Sequence, residues 1–289
     1  MTKHIITGLK GFLMGAANVV PGVSGGTIAL LTGIYSEIID SINSLMVPAT
    51  YKKLLHGNFR EFWKSINGSF LTALFIGVIL SIFSLAKLME YVLAYYPIQT
   101  WGFFFGMIAA SAVVMLLDIK GWKASDFIWT IIGAVLGVAV CTLSPTTTPD
   151  TALFVFLCGA IAICTMILPG VSGSFVLLIL GKYEYIMSAV SALDTKVLGV
   201  FGLGCIIGIL AFSKFLHWTL ERFERQTMLI LVGFVIGSLI KVWPWANLDA
   251  IAAAGTADMS SLHIPGAILW MVIGLASVVL LQALSVKKK

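Results

Sequence analysis

The chain of 289 residues is 59% hydrophobic and only 11% charged, with a mean hydropathy of +1.03, which excludes an ordinary soluble domain. Its formal net charge is +5, and most of the basic residues fall in short connections between apolar runs. That placement concerns orientation in a bilayer and contact with anionic lipid, and it points away from nucleic acid.

In chain order, residues 5–20 form an apolar segment that runs straight into Pro21-Gly22-Val23-Ser24-Gly25, without the small-residue cleavage site of a signal peptide. A second apolar segment, 28–42, follows the interruption. Around 50–66, Tyr51, Leu55, Phe59, Phe62 and Ile66 make an apolar stripe at helical spacing beside Lys52, His56, Arg60 and Lys64. This suits an interfacial helix on anionic lipid, with Gly57-Asn58 as a point where it could break and a solvated loop as the plainer alternative. Apolar runs at 70–88, 101–117 and 127–143 then approach the roughly 20 residues that span a bilayer. The pattern returns: 153–168 and 175–190 flank a second copy, Pro169-Gly170-Val171-Ser172-Gly173, and further apolar runs follow at 197–216, 228–242 and 264–284.

The likeness of the two halves extends beyond those five residues. Residues 21–42 and 169–190 align without gaps, matching also Leu30 with Leu178, Gly33 with Gly181, Tyr35 with Tyr183 and Ile38 with Ile186. At a shorter offset Gly77/Gly204, Lys87/Lys214, Gln99/Gln226, Thr100/Thr227, Gly106/Gly233 and Ser111/Ser238 match, and Trp129/Trp270 and Gly133/Gly274 continue the series. A segment present only in the first half, near 45–65, accounts for the change in offset. The period is far too long for a solenoid and indicates one duplicated membrane unit.

Charge then sets an expected orientation. Lys3, Lys10, Lys52, Lys53, Arg60 and Lys64 precede the first span; Lys120 and Lys123, Arg222 and Arg225, and Lys287, Lys288 and Lys289 follow the second, fourth and sixth. The connections 144–151 and 244–263 contain no Lys or Arg. Both termini are therefore expected in the cytoplasm, and three spans per half, an odd number, invert the second half relative to the first. The predicted fold is an all-α polytopic membrane protein of two inverted repeats, 1–146 and 147–289. Each holds a re-entrant broken pair (5–42 and 152–192) and three transmembrane helices (about 69–143 and 197–285), with fully spanning pairs as the alternative.

The motifs carry the chemistry. Lipid offers no partner to freed backbone groups, so such breaks must face protein or a polar cavity. Gly-Val-Ser-Gly after a proline supplies backbone N–H groups and a hydroxyl, a combination that binds phosphate or carboxylate. The candidate anion-binding residues are Asn18, Pro21, Gly22, Ser24, Gly25, Gly26 and Thr27 in the first copy and Pro169, Gly170, Ser172, Gly173 and Ser174 in the second. The plainer reading is that Pro and Gly kink the helices while Ser caps a backbone amide, but one inverted pair of copies makes mere packing a poor explanation. Glu37, Lys182 and Glu184 lie in the post-break segments. A charge held at mid-bilayer costs roughly 2.5–3.5 kcal/mol, so if these stay deep Lys182 could balance a phosphate and a carboxylate could carry a coupling proton or cation; otherwise they reach the interface. Cys141, Cys158, Cys164 and Cys205 sit in apolar runs without metal spacing, the four histidines are scattered, and no metal, cofactor or catalytic motif occurs.

These residues resemble a family. Residues 11–40, GFLMGAANVVPGVSGGTIALLTGIYSEIID, with LPGVSGSFVLLILGKYEYI at 168–186, look like the PopT-type polyprenyl-phosphate transporters, and the likeness spans essentially the whole chain. The resemblance implies a non-enzymatic transporter of the bacterial cytoplasmic membrane that recycles undecaprenyl phosphate from the outer to the cytoplasmic leaflet. A lipid pyrophosphate phosphatase of the BacA type is the enzyme alternative. In that family an Arg follows the motif Ser, where this chain has Gly25 and Gly173, and no arginine lies near either motif. A transporter of a small soluble anion is the third reading.

Overall fold

The computed structural model describes residues 2–19, 24–55, 57–143, 148–246 and 263–286. Pro21 and Gly22 of the first motif, and Lys287, Lys288 and Lys289, lie outside the described residues. No strand occurs among those described. The helices are α1 (Thr2–Val19), α2 (Gly25–Leu31), α3 (Tyr35–Ser44), α4 (Pro48–Leu55), α5 (Phe59–Ser65), α6 (Gly68–Tyr95), α7 (Pro97–Asp118), α8 (Ala124–Cys141), α9 (Ala152–Ile167), α10 (Gly173–Ile179), α11 (Tyr183–Ser191), α12 (Thr195–Val242) and α13 (Ile264–Val286).

The six expected apolar runs all fall on helices, though on five, because α12 carries two of them. At 1.5 Å per residue its 48 residues would be about 72 Å long, more than twice a hydrocarbon core, and non-helical angles at Phe223 (φ −137°, ψ 43°) kink it between the two runs. By length and composition four helices among the described residues can cross a membrane: α6, α7, α8 and α12. The bent pair α10–α11 would make a fifth.

The broken segments differ from expectation in one respect. The stretches 28–42 and 175–190, read as single helices, are each two. In both copies the short helix after the motif has seven residues and stops at a glycine with positive φ, Gly33 (69°) and Gly181 (63°). Gly33 N–H donates to Leu30 O and Ile34 N–H to Ala29 O; Gly181 N–H donates to Leu178 O and Lys182 N–H to Leu177 O. This paired pattern is the Schellman motif, which needs a left-handed residue and so favours glycine. It turns α11 away from α10 by 116°. The interfacial segment is also split: α4 and α5 are separated around Gly57 (φ 76°), and they meet again through Tyr51 and Phe62, whose ring centroids are 6.2 Å apart.

Packing forms two compact units, Met1–Ile82 with Leu143–Thr227, and Phe83–Thr142 with Met228–Lys289. Both units draw on both halves of the sequence. In the first, a Cβ on Gly11 of α1 would collide with the Leu74 carbonyl of α6, and one on Gly159 of α9 with the Phe201 carbonyl of α12. In the second, Gly106 of α7 lies against Met271 of α13 and Gly274 of α13 against Phe103 of α7. Correspondingly, Gly233 of α12 lies against Thr130 of α8, and Gly133 of α8 against Ile230 of α12. Matched positions thus make matched contacts. Small residues let apolar helices approach closely where lipid supplies no hydrophobic drive for association.

Enlarging one of these glycines should therefore destabilise the protein, whereas Gly202, with nothing within 4 Å of its Cβ position, should tolerate alanine. Gly274→Leu is expected to lower the thermal midpoint in detergent by about 2–10 °C, from an overpacking cost of about 1–3 kcal/mol, with Gly202→Ala unchanged. Gly181→Ala, which forces a side chain into the left-handed region, should lower it by an amount corresponding to about 1–2 kcal/mol.

Candidate functional site

The two motifs lie together in the first unit, and the second is described in full. Leu168, the residue before Pro169, is extended (φ −63°, ψ 128°) as steric conflict with the proline ring demands, and it ends α9. Gly170 has φ 91°, open to glycine and strained for other residues. Ser172 returns to extended geometry (φ −98°, ψ 146°) and caps α10, its Oγ accepting from Phe175 N–H at 3.3 Å. Ser24 repeats this at α2 (φ −109°, ψ 131°), its Oγ accepting from Gly26 N–H at 3.1 Å. Both motif serines are N-caps, as the plainer sequence reading held, and a bound anion would compete with or extend that role.

The two breaks are bonded to one another. Ser24 Oγ donates to Leu168 O at 3.0 Å, and Gly170 N–H donates to Thr27 Oγ1 at 2.9 Å. A Cβ on Gly26 would overlap the Ile167 carbonyl, so glycine there is what allows α2 to start against the end of α9. Asn18 Oδ1 accepts from Gly25 N–H at 2.8 Å and so satisfies backbone opened by the first break. Ser24, Gly25, Gly26 and Thr27 are all buried.

The copies are unequal in what they leave available. The position matching Asn18 is Met166, which has no strong acceptor to offer Gly173 N–H. Gly26 and Thr27 are matched by Ser174 and Phe175. Ser172 Oγ lies 3.2 Å from Ser174 Oγ, with Ser172 and Gly173 buried but Ser174 exposed. In the first copy Ser24, Gly25, Gly26 and Thr27 are all buried; in the second the exposed Ser174 hydroxyl lies beside the buried, capping Ser172.

The charged candidates lie elsewhere. Lys182 is at the far end of α10 from Ser172, buried, with Nζ donating to Thr148 O and Asp150 Oδ1, each at 2.6 Å. Glu37 accepts from Asn67 Nδ2 at 3.1 Å, and Glu184 is exposed. The structure therefore joins Asn18, Ser24, Gly25, Gly26 and Thr27 with Gly170 and places Ser172, Gly173 and Ser174 beside them, but brings neither Glu37, Lys182 nor Glu184 into that group. Sequence reasoning missed the Leu168 carbonyl, which no side-chain identity betrays, and Lys10, whose Nζ donates to Thr32 O at the end of α2 (2.7 Å). It also missed Asp150, whose isolation as the one charge in the 144–151 connection was a usable signal. Among the described residues no group of three or more His, Cys, Asp or Glu could hold a metal.

Residues 14–259 match the family described as VCA0040-like, undecaprenyl phosphate translocase-like. A polyprenyl-phosphate transporter of Vibrio cholerae is 44% identical over 243 residues, covering 84% of this chain and 79% of that protein. Another of Staphylococcus aureus is 35% identical over 255 residues, covering 82% and 85%. Both relatives are named as transporters and not as enzymes, and no solved structure matches. Together with the long apolar helices, this makes the protein a multi-pass membrane protein. By the extent of the family match and the identity to these relatives, the chain belongs to the undecaprenyl phosphate translocase-like family.

Proposed function

We propose that the protein carries polyprenyl phosphate, with undecaprenyl phosphate as its substrate, from the outer to the cytoplasmic leaflet of the bacterial cytoplasmic membrane, so that the lipid carrier of envelope synthesis is used again. The observation that carries this reading is the meeting of the two broken segments, Ser24 to Leu168 and Gly170 to Thr27, in a chain whose named relatives transport polyprenyl phosphate.

The physical problem fits the site. The polyprenyl tail is already at home in lipid, so the phosphate alone needs shelter; an isolated anion in low dielectric costs tens of kcal/mol by a Born estimate. Ser172, Gly173 and Ser174, where the Ser174 hydroxyl is exposed, take the phosphate at the second motif. Asn18, Ser24, Gly25, Gly26 and Thr27 hold it next, once the bonds to Leu168 and Gly170 give way to the ligand. Pro169 keeps the chain out of continuous helix at the second break.

In this reading the halves 1–146 and 147–289 are inverted repeats, each with a re-entrant segment and three spans, and both termini are cytoplasmic. The repeated glycine contacts and the distribution of Lys and Arg support it. Inward movement of an anion opposes an inside-negative potential by about 2.3 kcal/mol per charge per 100 mV. A coupling proton or cation meets that demand, and Glu37 and Glu184, which lie outside the motif group, are the candidate carboxylates.

The test is headgroup transfer of polyprenyl phosphate between leaflets of vesicles containing purified protein. Ser24→Ala combined with Ser172→Ala should reduce transfer at least about tenfold, in line with the loss of two hydrogen bonds to a charged group, while the protein still elutes as a folded species. Undiminished transfer by that folded variant would overturn the assignment of the motifs. Ser174→Ala alone should give a smaller loss, seen mainly as weaker binding of the lipid.

A further inference from the structure

We propose that Lys182 is the entry residue for the phosphate headgroup and that Asp150 is its built-in, displaceable counter-ion; this rests on the transport reading above and extends it. The Lys182 side chain is 4% exposed, whereas that of Asp150, its partner at 2.6 Å, is 61% exposed. The pair is thus lopsided. The cation is fixed in the protein at the end of α10, between the faces of Phe154 and Tyr185, whose ring centroids lie 5.8 and 5.7 Å from Nζ. The anion arrives from the connection ahead of α9 and remains largely in contact with the surroundings. An ammonium held against aromatic faces keeps part of its stabilisation when a carboxylate leaves, because the ring faces attract it.

A phosphate monoester offers Lys182 the same charge and the same acceptor chemistry as Asp150. The seven residues of α10, about 10 Å long and including Ser174, lie between this end and Ser172, so a headgroup released by Lys182 reaches the second motif within one short step along α10. Thr148 completes the closed arrangement: its Oγ1 donates to Leu180 O at 2.5 Å while its carbonyl accepts from Lys182 Nζ. Residues 148–150 therefore strap the turn between α10 and α11 whenever no headgroup is bound. A purely structural latch would share this geometry, but it would not yield to ligand.

Farnesyl phosphate is the probe, with farnesol and inorganic phosphate as controls, on the full-length protein in nanodiscs. Asp150→Asn, which keeps an acceptor but removes the competing charge, should tighten farnesyl phosphate binding up to about fivefold, the upper range for a half-exposed ion pair. Lys182→Gln should weaken it roughly tenfold, and Lys182→Arg should restore much of it. Equal weakening by Asp150→Asn and Lys182→Gln would mark a latch and overturn the proposal. A readout on wild-type protein does not depend on either variant folding. Phe154 and Val155 amides, capped by Thr151 beside Asp150, should exchange hydrogen faster when farnesyl phosphate releases the strap and stay unchanged with farnesol. Release by inorganic phosphate as readily as by farnesyl phosphate would assign the site to free phosphate and overturn lipid entry. Binding without any change in exchange overturns the entry role alone. Wild-type protein that binds farnesyl phosphate no better than farnesol removes the transport reading beneath it.

Discussion

A helix broken inside an apolar layer must find partners for the backbone groups it frees, because lipid supplies none. In this protein the two breaks meet much of that demand in each other. The carbonyl at the end of α9 takes the Ser24 hydroxyl, and the amide of Gly170 gives its hydrogen to Thr27. Much of the first unit follows from that requirement. The breaks must come within hydrogen-bond distance, so α2 needs glycine where it meets Ile167, and α1 and α9 need glycine where they lie on α6 and α12. Short helices ending at Gly33 and Gly181 then redirect the chain.

The same five residues occur twice, but the copies have different neighbours. In the first, Asn18 takes the Gly25 amide, and Thr27 takes the Gly170 amide of the second break. In the second, Met166 offers only a weak acceptor and Ser174 adds an exposed hydroxyl. The breaks thus share their hydrogen bonds, and the second differs chiefly in its exposed Ser174 hydroxyl.

Charge is handled with the same economy. Lys182 is buried but neutralised by Asp150, and His217 bridges Asp40 and Glu221 at 2.9 and 3.2 Å. Lys10 donates to the carbonyl of Thr32, the residue that caps α2, where a cation offsets the negative end of the helix dipole. Each of these side chains has a polar partner within hydrogen-bond distance.

The membrane class, the apolar runs and the repeated motif were legible from residues alone, because hydropathy and a five-residue identity do not depend on partners. The internal repeat was legible enough that its matched glycines reappear in matched contacts, Gly106 on Met271 and Gly233 on Thr130. The second bend at Gly33 and Gly181 could have been read from a matched glycine but was not, since an apolar segment gives no other sign of its end. What only the tertiary structure decided is which groups satisfy which: that Ser24 reaches Leu168, that Gly170 reaches Thr27, and that Lys182 is answered by Asp150. Sequence determines the donors and acceptors a chain carries. Distant backbone atoms have no identity in sequence, so only folding, under the rule that buried polar groups be paired, selects their partners.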